Sequence, residues 1–268
     1  MSTYTFGFIG TGSMGGAIAR ALCKTVPAES VLLANRTAEK AQSLAQELGC
    51  AAGSNEEVAQ RCRYLFLGVK PQMMGDMLSP LLQILASRQD RFVLVTMAAG
   101  LTMEKVAAMA GGDYPVIRIM PNTPCGIGRG LILYTANDRV TQEELEAFTA
   151  ALSAAGTLDP LEERLIDAGS AVAGCGPAFV CQFIEALADG GVACGLPRKK
   201  ALLYAAQMVE GSAALVLESG DSPAALKDAV CSPGGSTIAG VRTLEERAFR
   251  GAVMDAVIAA AERTKALG

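Results

Sequence analysis

Gly10-Thr11-Gly12-Ser13-Met14-Gly15 follows the apolar run Phe6–Ile9 and precedes the helical pattern Ala17–Leu22. In that setting G-x-G-x-x-G reads as a dinucleotide-binding turn. Gly10 makes the tight turn, Gly12 lets the backbone approach a pyrophosphate, and Gly15 allows close helix–strand packing. The helix start adds free N–H groups and a positive dipole end. Asn35-Arg36-Thr37 ends the second apolar run. A carboxylate there would hold a ribose 2′-hydroxyl and repel a 2′-phosphate. Neutral Asn35, the Arg36 guanidinium and the Thr37 hydroxyl favour the phosphate, so NADP(H) is expected over NAD(H), with NAD(H) left open as a second cofactor. The plain alternative is that Arg36 is a solvated residue at a helix start.

Two more loops follow apolar runs. Val69-Lys70-Pro71 lies where ligands meet such sheets, so Lys70 is expected to face phosphate or ribose. Asn122, between Pro121 and Pro124, offers an amide to a nicotinamide or simply forms a turn; the two readings are compatible. In the second half, Ser232-Pro233-Gly234-Gly235-Ser236-Thr237 breaks two helical patterns. Its free backbone N–H groups would make a carboxylate site at a helix start, where an ordinary cap would need only Ser236.

The chain contains no His, which rules out a Ser-His-Asp triad and a His general base. Its eight Cys are scattered without a C-x-x-C pair, so they read as reduced, small core residues, and no metal site is expected. Net charge is −4 with no basic stripe, which argues against a nucleic-acid partner. The N-terminus has no signal-peptide pattern and no uninterrupted apolar run is long enough for a bilayer, so no membrane partner and a cytoplasmic location are expected.

These segments need rigid elements to hold them. Apolar runs at Thr5–Ile9, Val31–Asn35, Tyr64–Val69, Phe92–Met97, Val116–Met120 and Leu131–Tyr134 predict strands. Helical patterns lie between them, near 13–24, 37–48, 73–87, 102–110 and 141–155. The alternation implies an α/β fold, a Rossmann-type doubly wound sheet over 1–159. From 160 to 268 the pattern is helical throughout, near 161–194, 198–219, 222–230, 235–247 and 249–266. Only 19% of residues are charged and the helices are rich in Ala, so this all-helical domain is expected to pack against a second copy of itself.

The chain resembles the pyrroline-5-carboxylate reductase family. The matching segments are GFIGTGSMGGAI, GVKP at Gly68–Pro71, MAAG at Met97–Gly100, RIMPNTP at Arg118–Pro124, GCGPAF at Gly174–Phe179 and DAVCSPGGSTIAG at Asp228–Gly240. They run nearly the whole length in the family's order. The resemblance implies an NADPH-dependent reductase that converts 1-pyrroline-5-carboxylate to L-proline. It also implies a C-terminal helical dimerisation domain, a substrate site near the dimer interface, and dimers that often assemble into decamers. By position, it implies that Gly10, Ser13, Met14, Asn35, Asn55, Val69, Lys70 and Ala99 line the cofactor. Ser232, Gly235, Ser236 and Thr237 would hold the substrate carboxylate and ring nitrogen; the Gly-Gly-Ser-Thr loop itself suggests Thr237 as the catalytic hydroxyl at that nitrogen. Cys175 departs from the Ser common in related chains, and Ser236 stands where other small residues also occur. Two rivals share the fingerprint. A β-hydroxyacid dehydrogenase would need a Lys base in the first long helix of the second domain, and 161–198 contains none. A non-catalytic NADPH sensor would have no use for a carboxylate-binding loop.

Overall fold

The computed structural model describes residues 3–267; Met1, Ser2 and Gly268, the outer ends of the two expected domains, lie outside it. The described residues form two compact units, 3–175 with 260–267, and 176–259.

The first unit is an eight-stranded sheet in the order β3-β2-β1-β4-β5-β6-β7-β8. The strands are β1 (Tyr4–Ile9), β2 (Val31–Ala34), β3 (Ala51–Ala52), β4 (Cys62–Leu67), β5 (Val93–Thr96), β6 (Val116–Met120), β7 (Gly130–Ala136) and β8 (Gly156–Pro160). All neighbours are parallel except β6 and β7. The order 3-2-1-4-5-6 is that of a Rossmann sheet, reversing direction at β1.

Both faces are covered, as near-continuous apolar strands require. Phe6, Phe8, Tyr64, Phe66, Val93 and Val95 face α1 (Ser13–Leu22), α2 (Ala38–Leu48) and α7 (Gln142–Ala151). Phe8 stacks on Phe66 with centroids 4.3 Å apart. Ile9, Leu32, Leu65, Leu67 and Leu94 face α3 (Asn55–Arg61), α4 (Met74–Leu78), α5 (Leu82–Ser87) and α6 (Met103–Met109). Pro80 breaks the expected 73–87 helix into α4 and α5, joined by a 3-10 turn at Ser79–Leu81.

The compact first unit reaches past the change of pattern at Asp159–Pro160. Pro160 still belongs to β8, and α8 (Glu163–Ala173) is clamped to the sheet. Arg118 on β6 is fully buried and donates to Asp167 at 2.5 Å, with Glu163 at 3.6 Å. Glu163 also accepts from the Met103 N–H at 2.7 Å, joining α8 to α6. The second unit contains α9 (Gly176–Ala193), α10 (Arg198–Ser219), α11 (Pro223–Ala229), α12 (Ser236–Glu246) and most of α13 (Phe249–Lys265).

Glu144 on α7 is a buried carboxylate with a defined job. It receives two hydrogen bonds of 2.9 Å from Arg91 and one of 3.0 Å from the Thr141 N–H, with Arg63 at 3.7 Å. Burial is the largest single influence and pushes its carboxyl up. The Arg91 and Thr141 hydrogen bonds and the nearby guanidinium charges together outweigh it and hold the group below its ordinary range. A depressed folded-state pKa means that the unfolded chain binds the extra proton. The stabilisation is therefore complete above the unfolded value and is lost as pH falls through the folded one. Glu144→Gln is expected to cost about 1–3 kcal/mol at pH 7. Urea titrations should show the gap between parent and variant narrowing as pH drops below about 4.

Candidate active site

The nucleotide-type turn forms as its glycines require. Gly10 has φ +100°, and a Cβ there would lie 2.6 Å from the Gly68 carbonyl oxygen. A Cβ on Gly15 would lie 2.2 Å from the Gly10 carbonyl oxygen, so turn and helix touch backbone to backbone. Asn35 staples this turn to the end of β2. Its Oδ1 accepts from the Thr11 N–H at 3.1 Å and its Nδ2 donates to the Thr37 carbonyl at 3.1 Å. Its amide thus shapes the turn by binding protein backbone at both ends.

Above the turn is a cavity of about 520 Å3, lined by Gly10, Gly12, Asn35, Arg36, Asn55, Val69 and Lys70 together with Thr37, Lys40, Met73 and Asp76. Arg36, Lys40 and Lys70 form no ion pair among the described residues, and Asp76 is the one acid on the wall. The cavity is therefore basic. Lys40 was not singled out from sequence. Its signal is its place in the first turn of α2, directly after Asn35-Arg36-Thr37.

A dinucleotide fits these residues. Nothing lies within 4 Å of a Cβ built on Gly12, whose φ of −69° any residue could adopt, so the protein itself does not demand glycine there. The Thr11 hydroxyl is buried with no hydrogen-bond partner. Ser13, Met14 and Gly15 occupy the first turn of α1, where helix geometry leaves backbone N–H groups unpaired, and no side chain caps them.

Other expected residues fall elsewhere. Pro71 opens the 3-10 turn Pro71–Met73 and does not line the cavity. Ala99 packs with Met120, Leu133 and Ile166. Asn122 requires a correction. It is 8% exposed, its Nδ2 donates to the Ala173 carbonyl at 3.1 Å and its Oδ1 accepts from the Leu131 N–H at 3.0 Å. Its amide fastens the β6–β7 connection to the end of α8 and is not free for a nicotinamide.

In the second unit, the 232–237 turn is open to solvent apart from half-buried Gly235. Gly234 takes φ +70°, and the Gly235 N–H donates to the Ser232 carbonyl at 3.0 Å. That bond corrects one expectation: the Gly235 N–H is not free for an anion, and Gly235 is instead the N-cap of α12, without a side-chain cap. The unpaired donors are the N–H groups of Ser236, Thr237 and Ile238, since the first helical bond is from Ala239 to Gly235. Three converging donors, a positive dipole end and the Thr237 hydroxyl suit a small carboxylate with a polar neighbour.

A family model described as pyrroline-5-carboxylate reductase dimerisation matches residues 163–267, and one described as NADP oxidoreductase coenzyme F420-dependent matches residues 5–100. The pyrroline-5-carboxylate reductase of Escherichia coli (strain K12) is 40% identical over 265 residues, covering 97% of each chain. That of Glycine max is 38% identical over 268 residues, covering 99% of this chain and 96% of the relative. The chain belongs to the pyrroline-5-carboxylate reductase family. Among solved structures, the Plasmodium falciparum pyrroline carboxylate reductase with NADP bound superposes with a TM-score of 0.89 at 32% identity, covering 100% of this chain and 99% of that one. The Streptococcus pyogenes 1-pyrroline-5-carboxylate reductase gives 0.89 at 33%, covering 98% of each.

The family's dimerisation region falls on the part of this chain that buries least. Within the second unit the buried apolar core is Ala188, Ala201 and Ala205. Leu202, Leu203, Tyr204, Met208, Leu217 and Met254 are all exposed. The stretch Glu163–Ala193 is also long and apolar enough to cross a bilayer by length and composition, although charged residues such as Asp167 and Glu185 interrupt it. It breaks into two helices between Ala173 and Gly176, and it opens the segment matched by the dimerisation model.

Proposed function

We propose that this chain reduces 1-pyrroline-5-carboxylate to L-proline with NADPH, the last step of proline biosynthesis. The observation that carries the reading is the row of unpaired N–H donors at Ser236–Ile238, in a chain that also has a basic dinucleotide cavity. The first-turn N–H groups of α1 and the Thr11 hydroxyl would hold the pyrophosphate, and Arg36 and Lys40 the 2′-phosphate. The bound nicotinamide supplies the hydride.

The chain's own task is to hold and orient the imino acid. The Ser236, Thr237 and Ile238 N–H groups would grip its carboxylate. The Thr237 Oγ would accept a hydrogen bond from the protonated ring nitrogen, which fixes the face of the C=N carbon. A protonated cyclic imine is already electrophilic, so no dedicated acid is required, in keeping with a chain that has no His. Ser232 and Gly234 shape the turn.

The dimerisation region supports homo-oligomers. We propose a homodimer built from the apolar surfaces of the second unit, with decamers as a higher assembly. We place it in the cytoplasm, on the strength of eight dispersed cysteines without a C-x-x-C pair. Steady-state kinetics with 1-pyrroline-5-carboxylate against NADPH and NADH test the activity; cofactor binding without turnover would support a sensor instead.

Arg36→Ala should lower kcat/KM for NADPH about tenfold, the value of one charge-assisted contact near 1.4 kcal/mol, and leave NADH nearly unchanged. Lys40→Ala should act in the same direction but more weakly, because it contributes a point charge without a guanidinium fork. An unchanged NADPH/NADH ratio in both variants would remove the 2′-phosphate from this corner of the cavity.

A further inference from the structure

Helices α1 and α2 pack on the same face of the sheet, in one core cluster. A Cβ on Gly16 of α1 would lie 3.6 Å from the Leu44 side chain of α2. One turn on, Arg20 holds Glu47 with two hydrogen bonds of 2.7 Å. Continuing at the same offset brings Cys23, at the C-cap of α1, to Cys50, just past Gly49 at the end of α2. Both thiols are half-buried against the same core cluster, and both are free. Each thiol lies near enough to act on the other's proton equilibrium.

We infer that Cys23 and Cys50 are an oxidisable dithiol that closes to an intramolecular disulfide, joining the far ends of the two helices whose N-termini border the nucleotide cavity. A disulfide needs its two Cβ atoms at about 3.5–4.5 Å, and both cysteines stand one turn beyond the Arg20–Glu47 ion pair that already draws the two helices together. Helix α1 has ten residues, so about 15 Å separates the pair from the Gly-rich turn. Closure therefore does not obstruct the cavity.

The co-reactant is a low-molecular-weight disulfide. The neighbouring Cys50 side chain holds the Cys23 thiol below its ordinary value despite burial, and Cys23 in turn pushes Cys50 up. The Cys23 thiolate is then the attacking group. It displaces one thiolate from the small disulfide and forms a mixed disulfide. Cys50 gives up its proton and attacks the Cys23 sulfur, expelling the second thiolate. The net change is two protein thiols oxidised to one disulfide and one small disulfide reduced to two thiols. An exposed single cysteine such as Cys181 or Cys194 can go only as far as the mixed disulfide.

The test is to incubate the full-length protein with oxidised glutathione, digest it with trypsin without reductant and analyse the peptides by mass spectrometry. The peptide Ala21–Lys24 should appear joined to Ala41–Arg61, and dithiothreitol should separate them. Thermal unfolding of the oxidised protein should shift upward by about 5 °C, because the cross-link restricts the unfolded chain. Cys50→Ala should stop at glutathione on Cys23, and Cys23→Ser should yield no joined peptide. Glutathione on Cys181 and Cys194 with Cys23 and Cys50 left unreacted, or on both Cys23 and Cys50 with no joined peptide, would overturn the inference.

Discussion

Gly12→Ala is expected to fold as well as the parent and to bind NADPH at least tenfold more weakly, whereas Gly15→Ala is expected to lose stability and binding together. The two glycines differ by what surrounds them. At Gly12 the backbone is extended and a methyl group would enter empty space, so stability should change by no more than about 0.5 kcal/mol. The same methyl group would stand over the helix N-terminus, where a pyrophosphate must approach the N–H groups. The loss of close approach is set at about 1.4 kcal/mol or more, the equivalent of one decade in Kd. At Gly15 the methyl carbon would be 2.2 Å from the Gly10 carbonyl oxygen, a backbone atom that cannot rotate away. Either β1 or α1 must shift, at about 1–3 kcal/mol. Thermal melts and NADPH fluorescence titrations on both variants separate the cases. Normal NADPH binding by a folded Gly12→Ala protein would show that the pyrophosphate does not rest on this turn.

That contrast also shows how far local sequence carries. The G-x-G-x-x-G turn was readable because its demands are local: a strand, a tight turn and a helix within about a dozen residues. The six strongest strands were readable because apolar runs buried on both faces have a simple signature. The misses were short or partnered at long range. Strand β3 is two alanines, and β8 is a mostly exposed edge with Pro160 at its end, so neither has an apolar pattern. Helix α3 has seven residues, but its capping box, Ser54 with Glu57, was a usable signal that went unread. The role of Asn122 depends on Ala173, 51 residues away, and no local rule could show that its amide is engaged there. Gly235 is subtler. Sequence placed it correctly in a turn before a helix, but only the backbone geometry shows its N–H closing that turn onto Ser232. Lys40 lay within reach of reasoning, since it falls in the first turn of the helix that follows Asn35-Arg36-Thr37.

The correction at Gly235 sharpens the second large effect. With Gly235 acting as the cap, the donors move one residue along, and Thr237 sits in the middle of the free N–H row with its hydroxyl close to any carboxylate held there. Thr237→Ala keeps every backbone donor. Its side chain is exposed and no protein group bonds to it among the described residues, so the fold should not suffer. NADPH affinity should also be unchanged, because the variant lies in the second unit and the cavity belongs to the first. What disappears is the acceptor for the ring N–H. If that bond strengthens by at least ~1.4 kcal/mol in the transition state, kcat falls tenfold or more. KM should rise only modestly, since the carboxylate grip remains. Thr237→Ser, which restores the oxygen without the methyl group, should recover most of the rate. This pattern separates a hydroxyl acting on the reacting ring from one that merely starts a helix: a lost cap would lower the melting temperature and leave saturated turnover alone. A Thr237→Ala enzyme with parental kcat on 1-pyrroline-5-carboxylate would mean that the backbone donors alone orient the imine.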